Sequence, residues 1–223
     1  MSKLLYGIFG AGGHGRETMP LARQQMKALG VPESQLVFVD DGLDIEVKIV
    51  NGHAVLTYAE FLNYSANKRF ISIAISNSQV REKLAMQCAA DGVKLWNIIA
   101  SNVVVMDSVQ LGEGALLSPF VTLTSNIKIG KCFHANMYSY VTHDCMIGDF
   151  VTFAPNVHCN GNVVVEDHAY IGAGAVLRQG KSGTPLVIGR GAVVGMGAVV
   201  TKSVAPGTTV VGNPARVVES RAK

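Results

Sequence analysis

The chain has 223 residues, enough for two modest domains that each bury a hydrophobic core. Nineteen basic and sixteen acidic residues leave a net charge of +3 without any run of like charge, which argues against nucleic acid as the main partner. The four cysteines form no C-x-x-C pair and no zinc ligand set, so we expect buried thiols in a reducing cytoplasm and no metal. Neither a signal peptide nor an apolar run long enough to span a membrane is present, so we expect no membrane partner.

Residues 1–97 alternate between strand and helix patterns. The pattern predicts buried strands at 4–9, 36–39 and 70–75 and helices at 16–29, 58–64 and 79–90. A βαβαβ order of this kind predicts a small Rossmann-like α/β domain with a parallel sheet. Its ligands are expected at the carboxyl ends of the strands.

The turn after the first strand reads Gly10-Ala11-Gly12-Gly13-His14-Gly15 and fits the pattern G-x-G-x-x-G. Such a turn lets backbone N–H groups approach a pyrophosphate at a helix N-terminus. Two other interpretations stay open: a turn that only needs glycine geometry, and a dinucleotide redox site. Because a full dinucleotide fold does not fit in about 95 residues, the pattern favours a pocket for one nucleotide diphosphate.

Polar residues follow the other two strands at the same edge of the predicted sheet. Asp40 and Asp41 end the second strand and could bind a base or a ribose hydroxyl. Ser76 and Asn77 follow the third strand, and Arg81 could pair with a phosphate. A solvated helix arginine is the alternative for Arg81.

From residue 98 onward the sequence has a period of six. An apolar residue recurs at every sixth position, then the count slips by five residues and resumes, and all but Ala135, Phe153 and Cys159 are Val, Leu or Ile. The positions are Val105, Leu111, Leu117, Leu123, Ile129, Ala135, Val141, Ile147, Phe153, Cys159, Val165, Ile171, Leu177, Ile188, Val194 and Val200. Neither a helix nor an ordinary strand has this period, so the pattern predicts a solenoid whose coils bury their apolar faces by stacking.

Three six-residue strands make one coil, because similar pairs such as Leu111-Gly112, Ile129-Gly130 and Ile147-Gly148 recur at intervals of eighteen residues. We expect the aliphatic residue to point inward and the glycine after it to let the corner bend. This hexapeptide repeat resembles the left-handed parallel β-helix acyltransferases, and the resemblance implies the handedness. Other β-solenoids only bind or assemble, so the period alone does not predict an enzyme.

The repeat is most irregular at 133–144, where Ala135 replaces an aliphatic residue and polar and aromatic side chains are crowded together. His143 lies two positions after inward Val141 and is expected to point away from the core. A surface histidine with no role is the ordinary alternative. The slip between Leu177 and Ile188 predicts a loop at 178–185, which could close over a cofactor through Arg178 and Lys181.

Five motifs, found together across nearly the whole chain, resemble the nucleotide-sugar acetyltransferases, a family that includes sialic acid O-acetyltransferases and UDP-4-amino-sugar N-acetyltransferases. They are Gly-Ala-Gly-Gly-His-Gly at 10–15, Phe-Val-Asp-Asp at 38–41, Ile-Ala-Ile-Ser-Asn at 73–77, His-Asp-Cys-Met-Ile-Gly-Asp at 143–149 and Val-Gly-Asn-Pro-Ala-Arg at 211–216. Within the family, the stretches 118–121, 134–136 and 151–155 are most similar to GDP-perosamine N-acetyltransferases. The resemblance implies acetyl-CoA as acetyl donor and a homotrimer with its site between adjacent prisms.

The resemblance also implies roles for individual residues. The general base corresponds to His143, and its carboxylate partner, which is normally Glu, corresponds to Asp144. The active-site asparagine corresponds to Asn136, and a histidine that contacts the substrate corresponds to His14. Imidazole is suited to take the proton that an amine loses when it attacks a thioester near neutral pH.

The acetyl-CoA site is expected along the prism. Gly161 is the candidate backbone donor to the oxyanion, and the resemblance places the cofactor near Thr152, Gly161, Gly172, Ala173 and Gly174. The adenosine end is expected near Gly197, Lys202, Asn213 and Pro214. For Lys202, a CoA phosphate ligand and a solvated lysine stay open.

The leading hypothesis is N-acetylation of a nucleotide-linked 4-amino-4,6-dideoxyhexose for O-antigen or glycan precursors, with GDP-perosamine favoured over dTDP- or UDP-linked sugars. The alternatives are O-acetylation of a sialic acid or related sugar, and a noncatalytic nucleotide-sugar-binding protein.

Overall fold

The computed structural model describes residues 4–42, 46 and 48–218. The chain divides into two compact units, the first formed by 1–101 with 113–116 and the second by 102–112 with 117–223. The boundary expected at 97/98 lies inside the first unit, because Ile98 is buried there and its N–H donates to the Ala115 carbonyl (2.9 Å).

The first unit is an α/β domain. Its strands are β1 Leu4–Phe9, β2 Leu36–Val39, β3 Ile49–Val50, β4 His53–Leu56, β5 Lys68–Ile73, β6 Lys94–Leu95 and β7 Ile98–Ile99, and its helices are α1 Gly13–Ala28, α2 Tyr58–Asn63 and α3 Ser78–Ala90, with a 3₁₀ turn at Glu33–Gln35. Six strands form one sheet in the order β3-β4-β2-β1-β5-β6, parallel except for the β3–β4 pair. The predicted βαβαβ order is therefore confirmed. Four strands of this unit were not predicted: the two-residue strands β3, β6 and β7, and the four-residue strand β4.

The carboxyl ends of the three central strands meet at one edge of this sheet. The Gly10 N–H donates to the Val39 carbonyl and the Ala74 N–H donates to the Phe9 carbonyl, both at 2.8 Å. The glycine turn after β1 consequently lies between the ends of β2 and β5, as the parallel topology requires.

The second unit is a three-faced parallel β-helix. Its first face holds β9 Val109–Leu111, β12 Ile127–Ile129, β15 Met146–Ile147, β18 Val163–Val165 and β21 Leu186–Ile188. Its second face holds β10 Leu116–Leu117, β13 His134–Ala135, β16 Thr152–Phe153, β19 Tyr170–Ile171, β22 Val193–Val194, β24 Thr209–Val211 and the antiparallel β25 Arg216–Val217. Its third face holds β8 Val104–Val105, β11 Thr122–Leu123, β14 Tyr140–Val141, β17 His158–Cys159, β20 Val176–Leu177 and β23 Val199–Val200. Each strand pairs in parallel with the strand one coil away, for example Val141 with Leu123 and Cys159.

The residues at the sixfold positions fill the prism, as predicted. From Leu117 to Val200 all of them are buried, whereas Val105, in the terminal strand of its face, is 50% exposed. The lapse at Ala135 has a packing cause. Phe133 is fully buried and its ring meets that of Phe153 edge-on at 5.2 Å, so a larger residue at 135 would have no room. Phe133 therefore belongs to the core and not to a polar outer face.

The glycines after the inward residues do not bend the corners, which corrects the expectation. The left-handed backbone conformation falls three positions after the inward residue, with φ between +49° and +64° at the non-glycine residues Ser108, Phe120, Asn126, Cys132, Tyr138, Asp144, Phe150, Asn156, Asn162 and His168. A Cβ at Gly112 would instead lie 2.4 Å from the Gly130 carbonyl oxygen. These glycines are needed because adjacent coils approach one another too closely for a side chain.

The corners of successive coils align into three edges, which we name after one residue of each. The Asp149 edge comprises 112–115, 130–133, 148–151, 166–169 and 189–192; the Asn136 edge comprises 118–121, 136–139, 154–157, 172–175, 195–198 and 212–215; the His143 edge comprises 124–126, 142–145, 160–162, 178–185 and 201–203.

Candidate active site

His143 and its sequence neighbour Asp144 form a hydrogen-bonded pair on the His143 edge. The ring Nδ1 lies 2.8 Å from Asp144 Oδ2, and the two side chains are 49% and 50% exposed. Asp144 is the left-handed corner residue, with φ of +58°. This backbone turns its carboxylate toward the preceding imidazole, so the short aspartate side chain reaches the ring. A proton on Nδ1 leaves Nε2 as a free base.

Gly161 lies one coil away on the same edge, directly against the ring of His143. A Cβ at residue 161 would be 2.4 Å from the ring Cε1 and 2.5 Å from Nε2. Real Cβ atoms do not approach other atoms so closely, so any side chain at residue 161 would force this half-exposed imidazole to move. The position of Nε2 thus depends on residue 161 having no side chain.

The backbone N–H of Gly161 makes no hydrogen bond to any described residue. Two equivalent N–H groups on the Asp149 edge have side-chain acceptors: Lys131 donates to Asp149 Oδ1 (2.7 Å) and Asp149 donates to Asp167 Oδ1 (2.8 Å). Gly161 is buried, and a buried backbone donor is rarely left without an acceptor. This N–H is therefore available to an oxygen of a ligand bound beside His143.

Asn136 lies on a different edge from His143, and no hydrogen bond joins the two described side chains. Its Nδ2 donates to the Phe153 carbonyl in the next coil at 2.8 Å, which leaves Oδ1 as its outward acceptor. Asn160 donates in the same way to Leu177 at 2.8 Å. Both asparagines therefore help to hold coils together, a role the sequence pattern did not reveal.

The structure separates the predicted cofactor residues into three groups. Gly161 and exposed Lys202 lie on the His143 edge, Thr152 is buried in the second face, and the Asn136 edge holds Gly172, Ala173, Gly174, Gly197, Asn213 and Pro214. Coils stack closely along the Asn136 edge, where Gly197 donates to the Ala173 carbonyl (2.8 Å). All of these candidates except Thr152 therefore lie on the two edges that flank the third face.

The loop 178–185 leaves the prism at the His143 edge. Gly180 N–H donates to the Gly161 carbonyl (2.9 Å), and Lys181 and Thr184 exchange two backbone hydrogen bonds across a tight turn (3.1 and 2.9 Å). The five positions 181–185 are exposed. The predicted loop is thus a short hairpin anchored on the residue that contacts His143.

The glycine turn of the first unit contains two kinds of glycine. Gly10 has φ of +100°, and a Cβ at Gly15 would lie 1.8 Å from the Gly10 carbonyl oxygen, so these two serve the backbone geometry. A Cβ added at Gly12 or Gly13 would have no other atom within 4 Å. They begin α1 with no side-chain cap and no acidic residue in the first turn, which suits the approach of an anion.

Asp40 and Asp41 both bind backbone donors. Asp40 accepts from the Ala11 N–H (2.8 Å) and from the Gly42 N–H (2.9 Å), so it fixes the glycine turn to the end of β2. Asp41 accepts from the Tyr58 N–H (2.7 Å) at the start of α2. Among the hydrogen bonds of the described residues, the Oδ2 atom of Asp41 has none, so Asp41 has the freer oxygen for a ligand.

Of the remaining candidates at this sheet edge, Ser76 and Asn77 are exposed, and Asn77 also caps α3 by accepting from the Val80 N–H (3.1 Å). Arg81 differs from the expectation of a phosphate ligand or a solvated arginine. It is fully buried, and its guanidinium donates to the carbonyls of Ile75 (2.8 Å) and Ser76 (3.2 Å). Arg81 thus holds the β5–α3 turn.

His14, at the start of α1, is largely buried. Burial lowers the pKa of its imidazole, as does the nearby charge of Arg81, while Glu17 opposes the shift. Glu17 Oε2 lies 3.9 Å from the ring Nδ1. The ring is therefore held in its neutral form more strongly than an exposed histidine would be.

Sequence reasoning missed a polar network on the third face, between the two candidate edges. Tyr140 stacks on His158 with ring centroids 4.9 Å apart, and its hydroxyl donates to Asn160 Oδ1 (3.4 Å). Tyr140 and His158 precede inward residues, so the period of six marks their positions as outward and gives no indication that they pair.

Two classes of site find no support in the part of the chain that the structure describes. No group of three His, Cys, Asp or Glu side chains there is arranged to hold a metal ion. Nor does any helix there have the length and apolar character needed to cross a bilayer. All four cysteines are buried as free thiols, as predicted.

Comparison with known proteins assigns the family. The GDP-perosamine N-acetyltransferase of Escherichia coli O157:H7 is 53% identical over 212 residues, which are 95% of each chain. The chain belongs to the GDP-perosamine N-acetyltransferase family. Residues 7–88 match the family described as the PglD N-terminal domain.

Two solved structures share the fold of this N-acetyltransferase family member. WeeI from Acinetobacter baumannii AYE is 55% identical with a TM-score of 0.93, over 96% of this chain and 100% of its own. The acetyltransferase domain of PglB from Neisseria gonorrhoeae FA1090, in complex with acetyl coenzyme A, is 29% identical with a TM-score of 0.84, over 98% and 100%. The predictions of an N-acetyltransferase and of a Rossmann-like domain followed by a left-handed β-helix are confirmed.

Proposed function

We propose that this chain transfers the acetyl group of acetyl-CoA to the 4-amino group of GDP-perosamine, with His143 as general base. The observation that carries the mechanism is the juxtaposition of three groups on one edge: the carboxylate of Asp144, the imidazole of His143 and the free N–H of Gly161. The name of the relative that is 53% identical supports the substrate.

The reaction is an acyl transfer without a covalent enzyme intermediate. The sugar amine attacks the thioester carbonyl carbon while Nε2 of His143 takes the proton that the nitrogen loses. Asp144 keeps the other ring proton on Nδ1 and stabilises the imidazolium. The Gly161 N–H donates to the carbonyl oxygen as it becomes negative. When the tetrahedral intermediate collapses, its C–S bond breaks and the His143 imidazolium gives its proton to the leaving CoA sulfur, which yields the amide, the CoA thiol and a neutral base.

The nucleotide sugar is proposed to bind the first unit. Gly12 and Gly13, open at the N-terminus of α1, would receive the diphosphate, and the free oxygen of Asp41 would accept from a hydroxyl or base N–H. Neutral His14 would contact the substrate, while Asp40 and Arg81 hold the turns that present these groups.

Acetyl-CoA is proposed to lie along the third face and its two flanking edges, near the predicted cofactor residues. We propose that Arg178 and Lys181, which are exposed in the loop 178–185 beside Gly161, bind CoA phosphates. Replacing both by alanine is expected to raise the KM for acetyl-CoA and leave the KM for the sugar unchanged. An unchanged KM for acetyl-CoA would reject this role of the hairpin.

A homotrimer in the cytoplasm is proposed, in which Asn136 of one protomer acts beside His143 of the next. Asn136 and His143 lie on different edges of the same prism, and Met196 on the Asn136 edge is 82% exposed. Mixed assemblies of Asn136→Ala and His143→Ala protomers test this arrangement. Recovery of activity above either parent supports shared sites, and no recovery in verified mixed trimers contradicts them.

The decisive experiment measures CoA thiol release from acetyl-CoA with GDP-perosamine, other nucleotide-linked amino sugars and a sialic acid. His143→Ala is expected to lower kcat by about 10² to 10⁴ with sugar binding intact. His168→Ala, which removes a ring stacked on Phe150 at the Asp149 edge, is the matched control and should keep its activity. Undiminished turnover in His143→Ala would refute the mechanism, and release only with the hydroxyl acceptor would favour O-acetylation.

A further inference from the structure

The peptide unit that joins Asn160 to Gly161 carries the N–H group that the proposed function uses. This peptide bond is trans, so the Asn160 carbonyl and the Gly161 N–H point in opposite directions. The group that holds the Asn160 oxygen in place therefore also determines where the Gly161 N–H points.

The Asn160 carbonyl is held by a buried thiol of the preceding coil. Cys145 is 1% exposed, and its Sγ lies 3.2 Å from the Asn160 oxygen. No backbone N–H of the described residues donates to this oxygen, and the other thiol at this corner, that of Cys159, is farther away at 3.9 Å. Cys145 Sγ also lies 3.6 Å from the His143 carbonyl, but that carbonyl already accepts from the Asn162 N–H (3.0 Å). The buried Asn160 oxygen is thus the acceptor that needs the Cys145 proton.

The backbone on both sides of this peptide unit is anchored without the thiol. The N–H and the Nδ2 of Asn160 both donate to the Leu177 carbonyl (3.4 and 2.8 Å). On the other side, the Gly161 carbonyl accepts from the Gly180 N–H (2.9 Å). The peptide unit between these anchors can turn over by rotation of ψ at Asn160 and φ at Gly161, and glycine adopts positive and negative φ about equally well. The backbone alone consequently does not select one orientation.

We infer that Cys145 is a positioning residue for the acetyl transfer. Its thiol holds the Asn160 carbonyl toward the interior of the prism and so keeps the Gly161 N–H turned toward the ligand. In the opposite orientation the Asn160 oxygen would replace the N–H, and it would repel the negative charge that develops on the thioester oxygen.

The contact between Gly161 and His143 explains why a separate group has to hold this peptide. A side chain at residue 161 would restrict φ, but it would also push the His143 ring out of place. The orientation of the peptide therefore depends on Cys145. This inference rests on the proposed function, because it requires the Gly161 N–H to be the donor to the oxyanion.

The test compares Cys145→Ala, Cys145→Ser and Cys159→Ala in crystal structures of the full chain and in steady-state thiol release from acetyl-CoA with GDP-perosamine. Alanine at 145 removes the donor, so we expect the 160–161 peptide to turn over. The loss of one oxyanion donor lowers kcat by about 10² to 10³. The KM values for both substrates should stay unchanged, since the N–H acts on charge that develops after binding.

Serine at 145 retains a hydrogen-bond donor, so Cys145→Ser should keep the wild-type orientation of the peptide and most of kcat. Cys159→Ala is the matched control, because it removes a second buried thiol at the same corner that lies farther from the Asn160 oxygen. It should lose stability and retain kcat at a temperature where it is folded.

Three results would overturn the inference: a 160–161 peptide that keeps its orientation in Cys145→Ala, a turned peptide with the wild-type kcat, or an equal loss of kcat in Cys159→Ala. A wild-type enzyme that releases no thiol with any acceptor would instead refute the proposed function. In that case the crystal structures still decide whether Cys145 orients this peptide.

Discussion

Gly161 and the His143 imidazole are in such close contact that one added methyl group would lie 2.5 Å from Nε2. The proposed base is therefore held between Asp144 at Nδ1 and a bare backbone at its opposite side. Two coils of the solenoid contribute to this arrangement, so the stacking of the coils determines where the reactive nitrogen lies.

Gly161→Ala is expected to lower kcat by about 10² or more, because the new methyl group must push the imidazole away from its productive position. The measurement is steady-state thiol release together with the melting temperature. Gly112→Ala is the matched control, since its Cβ would lie 2.4 Å from the Gly130 carbonyl oxygen on another edge. Both variants should lose stability, but only the first should lose kcat at a temperature where both are folded. Equal losses of kcat would contradict the positioning role.

Asp144→Asn is expected to lower kcat at least about tenfold with little change in stability. Asparagine tolerates the left-handed φ of +58°, but its amide can donate to Nδ1 and so favour the ring tautomer whose proton is on Nε2. Asp144→Glu supplies the longer carboxylate and should retain more activity than Asp144→Asn. An asparagine variant as active as the wild type would show that the carboxylate is dispensable.

Asp167→Ala is expected to destabilise the prism by about 1–3 kcal/mol, because it leaves the partly buried Asp149 N–H without an acceptor. Arg190→Ala removes only the ion pair to Asp167, whose two side chains are substantially exposed, and should cost less than about 1 kcal/mol. Urea unfolding followed by circular dichroism compares the two variants. A larger loss in Arg190→Ala would mean that the ion pair outweighs the backbone hydrogen bond.

The stability of the first unit is expected to fall as the pH drops below about 6.5. Burial lowers the pKa of the His14 imidazole in the folded state below the ordinary histidine value of 6.5. As the pH falls, the unfolded chain therefore binds a proton at His14 before the folded chain does. The stability that neutral His14 contributes is fully present above pH 6.5 and is lost as the pH falls from 6.5 to the lower pKa of the folded state. His14→Gln should flatten the dependence. The fluorescence of Trp96, the single tryptophan and part of the core of this unit, reports its unfolding, and an unchanged slope in the variant would contradict the assignment.

Periodicity predicted the architecture well because burial repeats along the chain. Inward positions such as Val141 and Ile171 recur every six residues. Counting in sixes along the sequence therefore predicts which residues belong to the core and which lie on the surface. The same count predicted that His143 points outward. Motif resemblance, and not the period, indicated its role as base.

What sequence reasoning missed depends on contacts between residues far apart in the chain. Gly112 has no side chain because the carbonyl group of Gly130, eighteen residues later, lies too close. Residue 135 is a small alanine because the ring of Phe153 packs nearby. The burial of Arg81 depends on how α3 packs, which no local pattern records. The contact of Gly161 with His143 could have been anticipated from their spacing of one coil.

The register of the coils restricts how this domain can change in length. Val163 pairs with Leu186, and the additional residues between them protrude as the hairpin at the His143 edge without disturbing the strands on either side. An insertion or deletion of six residues would rotate every later outward residue onto the next face, and would remove Lys202 from the edge that carries His143. Viable length variants should therefore gain or lose whole coils, or extend an existing corner, which makes the hairpin the natural place for cofactor preference to diverge between relatives.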